Sequence, residues 1–237
     1  MWLPLFVDPR LADSLSEPAG SGPPVDPGAA LLRWAERAGA VTVAGLGDAA
    51  DVRPGDLVDF VGDAHGNPMV PVLDFVATSL AVLDDGRPGP DRRTAKGRPR
   101  PPETAGPDEA GATPEARHLV AALAAAARDD LRSAPVAEVV MFSGDLPVVV
   151  TVDRVLAGEA AEALLDTGRY RVIAKVAEVI GDGEGVSLLR RTLLAATGLD
   201  GGRDMLAELV EGGVDLAVTD PVVEGPALTV IPLAILL

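Results

Sequence analysis

Two adjacent arginines, a lysine and an aspartate are the side chains of this sequence whose types could do chemistry. Arg190 and Arg191 stand side by side, Lys175 interrupts an apolar run, and Asp153 ends another. A guanidinium suits phosphate and carboxylate groups, and a buried lysine with a lowered pKa can act as a base. These four residues define a candidate anion- or nucleotide-binding site, which could also serve hydrolysis.

Structural roles for the same residues are the competing interpretation. The apolar pattern predicts a strand at residues 186–194, where adjacent side chains point to opposite faces. One arginine would then face solvent, and the other would need an acid partner, for which Asp153 and Glu178 are the candidates. We favour this structural ion pair, and for Lys175 we favour an edge position with its ammonium in solvent.

The composition and the known motifs predict no catalytic residue, no metal site and no cofactor. The chain has no cysteine, which removes thiolate nucleophiles and cysteine zinc sites, and its two histidines, His65 and His118, lie far apart in the sequence. Neither a phosphate-binding P-loop nor a nucleophile elbow is present in the sequence. The glycine-rich residues 181–185 fall between two predicted strands, so we interpret them as a hairpin turn.

The charge distribution argues against nucleic acid as a main partner. The chain carries 20 basic and 36 acidic residues, for a net charge of −16, so its surface as a whole should repel phosphates. Residues 87–100 are the exception, with six basic residues and one acidic residue. A solvated linker is the favoured interpretation, and any nucleic-acid binding is expected to be weak and to come from this segment.

Local signals predict an α+β protein. Asp8-Pro9, Asp26-Pro27 and Thr113-Pro114 each combine a capping residue with a proline at the first helical position. Further helices are expected at residues 158–166 and 200–211. Alternating or β-branched apolar runs predict strands at residues 57–61, 69–82, 136–142, 148–152, 169–180, 186–194 and 227–237. The expected fold is a set of antiparallel or mixed sheets with helices packed on one face.

Two subdomains are expected on either side of a disordered linker. Residues 84–115 are rich in proline and glycine and nearly lack apolar side chains, so they cannot bury enough surface to offset chain entropy. The predicted units are residues 1–83, with a helix and a small β subdomain, and residues 116–237, with an α+β subdomain. The apolar run 227–237 is too short to span a membrane, and residues 1–10 lack a basic leader, so a cytoplasmic protein is expected.

Several short motifs resemble, in order, a known bacterial family. They are Val7 to Leu15, Pro54-Gly55-Asp56-Leu57-Val58, Tyr170 to Val176, Leu188 to Thr192 and Glu224 to Ile235. The family is a domain of unknown function, numbered 6414, and the similarity covers most of the chain except the linker. One departure is Ala174, where a glycine is expected before Lys175. The resemblance implies no activity and supplies no catalytic residues.

The sequence therefore favours an interaction or regulatory module with a protein partner, because it contains no catalytic signature. Two alternatives remain open. The first is an anion- or nucleotide-binding protein that uses Arg190, Arg191, Lys175 and Asp153. The second is a nucleic-acid-associated defence component that binds through residues 87–100.

Overall fold

A computed structural model describes residues 2–15, 26–85, 114–158, 168–197, 204 and 220–237 of the chain. The helices are α1 (Pro9–Leu15), α2 (Pro27–Arg37), α3 (Leu46–Ala49), α4 (Met69–Asp85), α5 (Pro114–Ser133) and α6 (Arg154–Ala157). The strands are β1 (Pro4–Val7), β2 (Val41–Val43), β3 (Leu57–Ala64), β4 (Val136–Ser143), β5 (Leu146–Asp153), β6 (Gly168–Ile180), β7 (Gly185–Ser187), β8 (Val222–Glu224) and β9 (Ala227–Leu236). A 3₁₀ helix spans Leu193–Thr197.

Seven of these strands form one mixed sheet that closes on itself. Strand β3 pairs antiparallel with β4, β4 antiparallel with β5, and β5 parallel with β9. Strand β6 completes the ring because it pairs antiparallel with both β9 and β3. Strand β1 pairs with β9 and β2 pairs with β3 outside the ring, while β7 and β8 form a separate two-stranded ribbon. The α+β class is confirmed, and the sheet is mixed.

Strand alternation separates the interior of the ring from its outer face. Val139 and Val150 belong to the central apolar cluster, which also takes side chains from β3, β6 and β9. Their immediate neighbours Val140 and Val149 belong to a second cluster, which includes α4 and α5. Successive strand residues point to opposite faces, so the ring strands are apolar on both sides. This explains why their sequences read as almost continuous aliphatic runs.

The helices cover the outer face of the sheet in two groups. Helices α4 and α5 pack over β4 and β5. Helices α1 and α2 pack over β6 and β9, where Leu11 and Leu31 meet Ile173 and Leu236. Among the described residues, no helix is both long and apolar enough to cross a membrane.

Predicted capping signals begin the first helices. The Asp8 carboxylate accepts a hydrogen bond from the Arg10 amide at 2.8 Å. The Asp26 carboxylate accepts one from the Gly28 amide at 3.0 Å, with Pro27 at the start of α2. Gly39 follows the end of α2 with φ of 77°, a conformation that glycine adopts without strain. The predicted starts of α1 and α2 are therefore confirmed. They could be predicted because a helix cap depends only on neighbouring residues.

The prediction of strands at residues 69–82 is wrong, because this segment forms α4. Its buried residues Met69, Leu73, Val76 and Leu80 recur at three- to four-residue spacing. The Asn67 carboxamide oxygen caps the helix by accepting a hydrogen bond from the Met69 amide at 2.9 Å. Valine-rich composition favours a strand, but burial of one helical stripe against α5 outweighs that propensity.

The prediction of a strand at residues 186–194, paired with β6, is also wrong. Residues 181–185 do turn the chain, but β7 covers only Gly185–Ser187 and pairs with β8. Strand β9 pairs with β6 along residues 171–180, and β3 pairs with its other edge along residues 168–175. A hairpin partner as long as residues 186–194 would have to take part of the edge that β3 already occupies, so the chain leaves the sheet after the turn.

The structure does not show the predicted division into two subdomains, because strands from both sides of the predicted linker pair in one sheet. Strand β3, from the first half, lies between β4 and β6. Helix α4 extends to Asp85 and α5 begins at Pro114, so the first and last two residues of the predicted linker 84–115 are helical, and residues 86–113 remain. These residues lie outside the described part of the chain, as do nearly all of the predicted helices at residues 158–166 and 200–211.

Cleavage within residues 86–113 is expected to leave two fragments that stay together. Each fragment supplies strands to the closed ring, and separating them would expose its apolar interior. The measurement is gel filtration after cutting at a specific protease site inserted between Ala95 and Lys96, with the uncut chain as the control. Fragments that elute separately under native conditions would contradict this prediction; separation only in denaturant would support it.

Candidate anion-binding groove

The segment between β7 and the 3₁₀ helix is a compact turn that carries both arginines. The Arg190 amide donates to the Ser187 carbonyl at 3.3 Å, and the Thr192 hydroxyl donates to the Leu189 carbonyl at 2.8 Å. Leu188 and Leu189 are buried beneath the turn in the same cluster as α4 and α5. Local hydrogen bonds and apolar anchors therefore fix the backbone on which the arginines stand.

Two contacts from distant elements hold the same segment in place. The Asp130 carboxylate on α5 accepts a hydrogen bond from the Leu193 amide at 2.8 Å. The buried side chain of Asn67, just before α4, donates a hydrogen bond from Nδ2 to the Leu188 carbonyl at 3.5 Å. The turn is thus tied to the helices that cover β4 and β5.

Arg190 and Arg191 both donate their Nε–H to one oxygen of Glu138. The distances from Nε to Glu138 Oε1 are 2.7 Å for Arg190 and 2.8 Å for Arg191. The prediction that they point to opposite faces is wrong, because they lie in a turn and not in a strand. The predicted acid partners, Asp153 and Glu178, are also wrong: the partner is Glu138.

Glu138 is a buried carboxylate on the outer face of the ring. Its side chain is 2% exposed, whereas those of Arg190 and Arg191 are 29% and 38% exposed. The second oxygen, Oε2, is buried and accepts no hydrogen bond from the described part of the chain. A glutamate within the apolar run of β4 was the signal that sequence reasoning missed, since a buried carboxylate requires a cationic partner.

The two guanidinium groups line an open groove on the protein surface. Its volume is about 580 Å³, and the groove is bordered by residues from β5, β6 and β9. These are Thr151, Ala177, Glu178, Thr229 and Ile231. We call this site the Arg190–Arg191 groove. It combines two partly exposed cations, two hydroxyl-bearing side chains and one carboxylate at the border.

The structure does not bring all four predicted residues together. Arg190 and Arg191 line the groove, but Asp153 and Lys175 are not among the described residues that line it. The Asp153 carboxylate caps α6, accepting hydrogen bonds from the amides of Val155 and Leu156 at 2.8 and 3.1 Å. Lys175 is exposed on β6, opposite Ile231 of β9.

An arginine–aspartate pair elsewhere on the sheet shows a guanidinium group that binds a carboxylate through two nitrogens. Arg171 binds Asp59 through Nε at 2.8 Å and Nη2 at 2.6 Å. The hydrogen bonds that Arg171 donates to Asp59 raise the pKa of Arg171 above its ordinary value. Arg190 and Arg191 differ because each uses Nε alone, which leaves the Nη donors of both without a hydrogen-bond partner in the described part of the chain.

The described residues form no candidate metal site, and they do not include the segment predicted to bind nucleic acid. Within residues 2–15, 26–85, 114–158, 168–197, 204 and 220–237, no group of three or more histidines or carboxylates lies close enough to hold a metal ion. Residues 87–100, the predicted segment for weak nucleic-acid binding, lie outside the described part of the chain.

The fold and the site define a closed mixed barrel with outer helices and a surface groove lined by two arginines. Residues 31–236 match the model of a family described as a domain of unknown function, DUF6414, and the chain belongs to that family. The family resemblance is therefore confirmed, and the motif Val7 to Leu15 lies outside the matched residues. No curated protein and no solved structure matches the chain.

Proposed function

We propose that this protein is a regulatory or interaction module that binds an anionic group, a phosphate or a carboxylate, in the Arg190–Arg191 groove. The observation that carries the proposal is the shared use of Glu138 Oε1 by two adjacent arginines. That contact fixes both guanidinium groups and leaves their Nη donors, which have no partner among the described residues, beside an open groove. The proposal retains Arg190 and Arg191 from the predicted site and omits Asp153, whose carboxylate caps α6.

Anchoring through Nε suits the arginines for binding an anion. A long side chain that is already ordered loses less conformational entropy when a ligand arrives. Glu138 lies beneath the groove and is almost fully buried, so it orders the arginines without filling the space in front of them. Planar guanidinium groups with free N–H donors match the geometry of phosphate and carboxylate oxygens.

The charges near the groove predict that its affinity is moderate. Glu138 and Glu178 together offset the charge of the two arginines, and Glu178 is exposed at the border. A carboxylate at that position repels an incoming anion. The hydroxyl groups of Thr151 and Thr229 can donate to the same ligand, so binding depends on hydrogen bonds as well as on net charge.

Substitutions at Arg191 and Glu178 are expected to change anion affinity in opposite directions. Arg191→Gln removes a charged donor and is expected to weaken pyrophosphate binding about tenfold. Glu178→Gln removes the repelling carboxylate and is expected to strengthen binding about two- to fivefold, the range for a solvent-exposed charge. The measurement is isothermal titration calorimetry of the full chain with pyrophosphate, and with citrate as a carboxylate probe.

Arg37→Gln is the matched control, because Arg37 lies on α2 and donates only to the Arg33 carbonyl among the described contacts. Its affinity for pyrophosphate should equal that of the unchanged chain. The proposal fails if Arg191→Gln and Arg37→Gln have the same effect, or if neither probe binds at all.

A further inference from the structure

A second groove lies at the start of α4, on a part of the molecule that the proposed function does not use. It has a volume of about 490 Å³. Three basic side chains line it: His65 after β3, Arg132 near the end of α5, and Arg154 at the start of α6. Asn67, Val70 and Pro71 form the rest of the lining together with Gly66. We call this site the His65 groove.

Two of the three basic side chains of the His65 groove are held in place by the surrounding structure. Arg154 Nη2 donates to the Leu131 carbonyl at 3.3 Å, which ties it to the last turn of α5. The ring of His65 packs edge-on against Phe142, with 5.5 Å between centroids. Arg132 Nη2 is 3.7 Å from Asp74, whose other oxygen is bound by Arg128 at 2.9 Å. Arg132 is therefore only loosely engaged.

The charge of the lining identifies the kind of ligand. The described residues that line the His65 groove include two arginines, a histidine and no carboxylate, and Asp74, outside this lining, lies 3.7 Å from Arg132. The described lining is therefore basic in a chain with a net charge of −16. The groove also lies at the beginning of α4, a 17-residue helix whose backbone dipole adds positive potential at that end. Val70 and Pro71 give the same groove an apolar wall.

We propose that the His65 groove is a second anion site that binds a phosphate-bearing small molecule with an apolar part. Arg132 and Arg154 would bind the phosphate oxygens, the ring of His65 would donate an N–H, and Val70 and Pro71 would contact the apolar part. The volume lies within the range of small-molecule sites, about 300–1,000 Å³, which exceeds what inorganic phosphate alone requires. This proposal does not depend on the Arg190–Arg191 groove.

The two histidines of the chain make the test specific to this groove. Phenyl phosphate is titrated into the full chain while the imidazole signals are followed by NMR. The signal of His65 is expected to move and that of His118 to stay, because His118 lies about 20 Å away along α5 from Arg132. Inorganic phosphate should move the same signal at higher concentration, and phenol, which lacks the charge, should not move it.

Arg132→Gln is expected to raise the concentration of phenyl phosphate at half-saturation about tenfold, the lower end for a charged hydrogen bond. Arg53→Gln is the control, since Arg53 is exposed before β3 and His65 follows its other end. The triple variant E138M/R190Q/R191Q should keep the His65 response, which separates this site from the other groove. A His65 signal that stays in place, that moves together with His118, or that is lost in the triple variant would overturn the proposal.

Discussion

Deletion of residues 228–237 is expected to abolish folding. These residues form nearly all of β9, which pairs with β1, β5 and β6 and closes the ring. Leu228, Val230, Ile235 and Leu236 are completely buried. Burial of one such side chain is worth about 1.5–3 kcal/mol, whereas a typical domain is stable by only about 5–15 kcal/mol. The four side chains together are worth about 6–12 kcal/mol, which is comparable to the stability of a whole domain before the lost strand pairing is counted.

Soluble yield and circular dichroism with thermal melting measure this effect. Ile231→Thr is the matched control, because Ile231 lies in the same strand, is about half exposed, and threonine is well suited to a strand. The control should fold and melt cooperatively. A truncated chain that melts at the same temperature as the full chain would contradict the structural role of β9.

The double substitution Arg190→Gln and Arg191→Gln is expected to lower the free energy of unfolding by about 3 kcal/mol. It leaves the Glu138 carboxylate buried without a cation, and breaking a buried ion pair in this way costs about 3–5 kcal/mol. We expect the lower end because both arginines are partly exposed, so water can reach the carboxylate once they are shortened. Urea denaturation, with the slope compared between variants, measures the change.

Adding Glu138→Met to that double variant should restore most of the lost stability. The methionine side chain is similar in length to glutamate and removes the uncompensated charge. Anion binding in the Arg190–Arg191 groove should stay lost in the triple variant, which separates a loss of binding from a loss of folding. A double variant as stable as the unchanged chain, or a triple variant no more stable than the double, would show that Glu138 and the arginines are not energetically coupled.

Local sequence determined the parts of the fold that depend on neighbouring residues. Asp26 followed by Pro27 predicted the start of α2, because capping is a contact between residues two positions apart. Strands β4, β5 and β9 were predicted from runs of aliphatic residues near their true bounds. Residues 69–85 failed because an apolar, valine-rich run supports either element, and only packing against α5 decides between them.

Two of the four residues predicted for the candidate site, Arg190 and Arg191, line the observed groove, because sequence reasoning identifies residue types but not distant partners. The residue types identified Arg190 and Arg191, since adjacent arginines in an apolar segment either pair with an acidic side chain or bind an anionic ligand. Their partner could not be found by spacing, because Glu138 lies 52 and 53 positions away. Asp153 and Lys175 were grouped with them by chemical type, but Asp153 caps α6 and Lys175 faces solvent.

By itself the sequence determined an acidic α+β protein of the DUF6414 family with an aliphatic core, proline-marked helix starts and a pair of adjacent arginines. Only the tertiary structure decided that the sheet closes through β6 and β9, and that both arginines meet one buried carboxylate. The physical reason is distance along the chain. Caps and hydrophobic periods are written in adjacent residues, whereas strand partners and buried ion pairs are chosen when the whole core packs together.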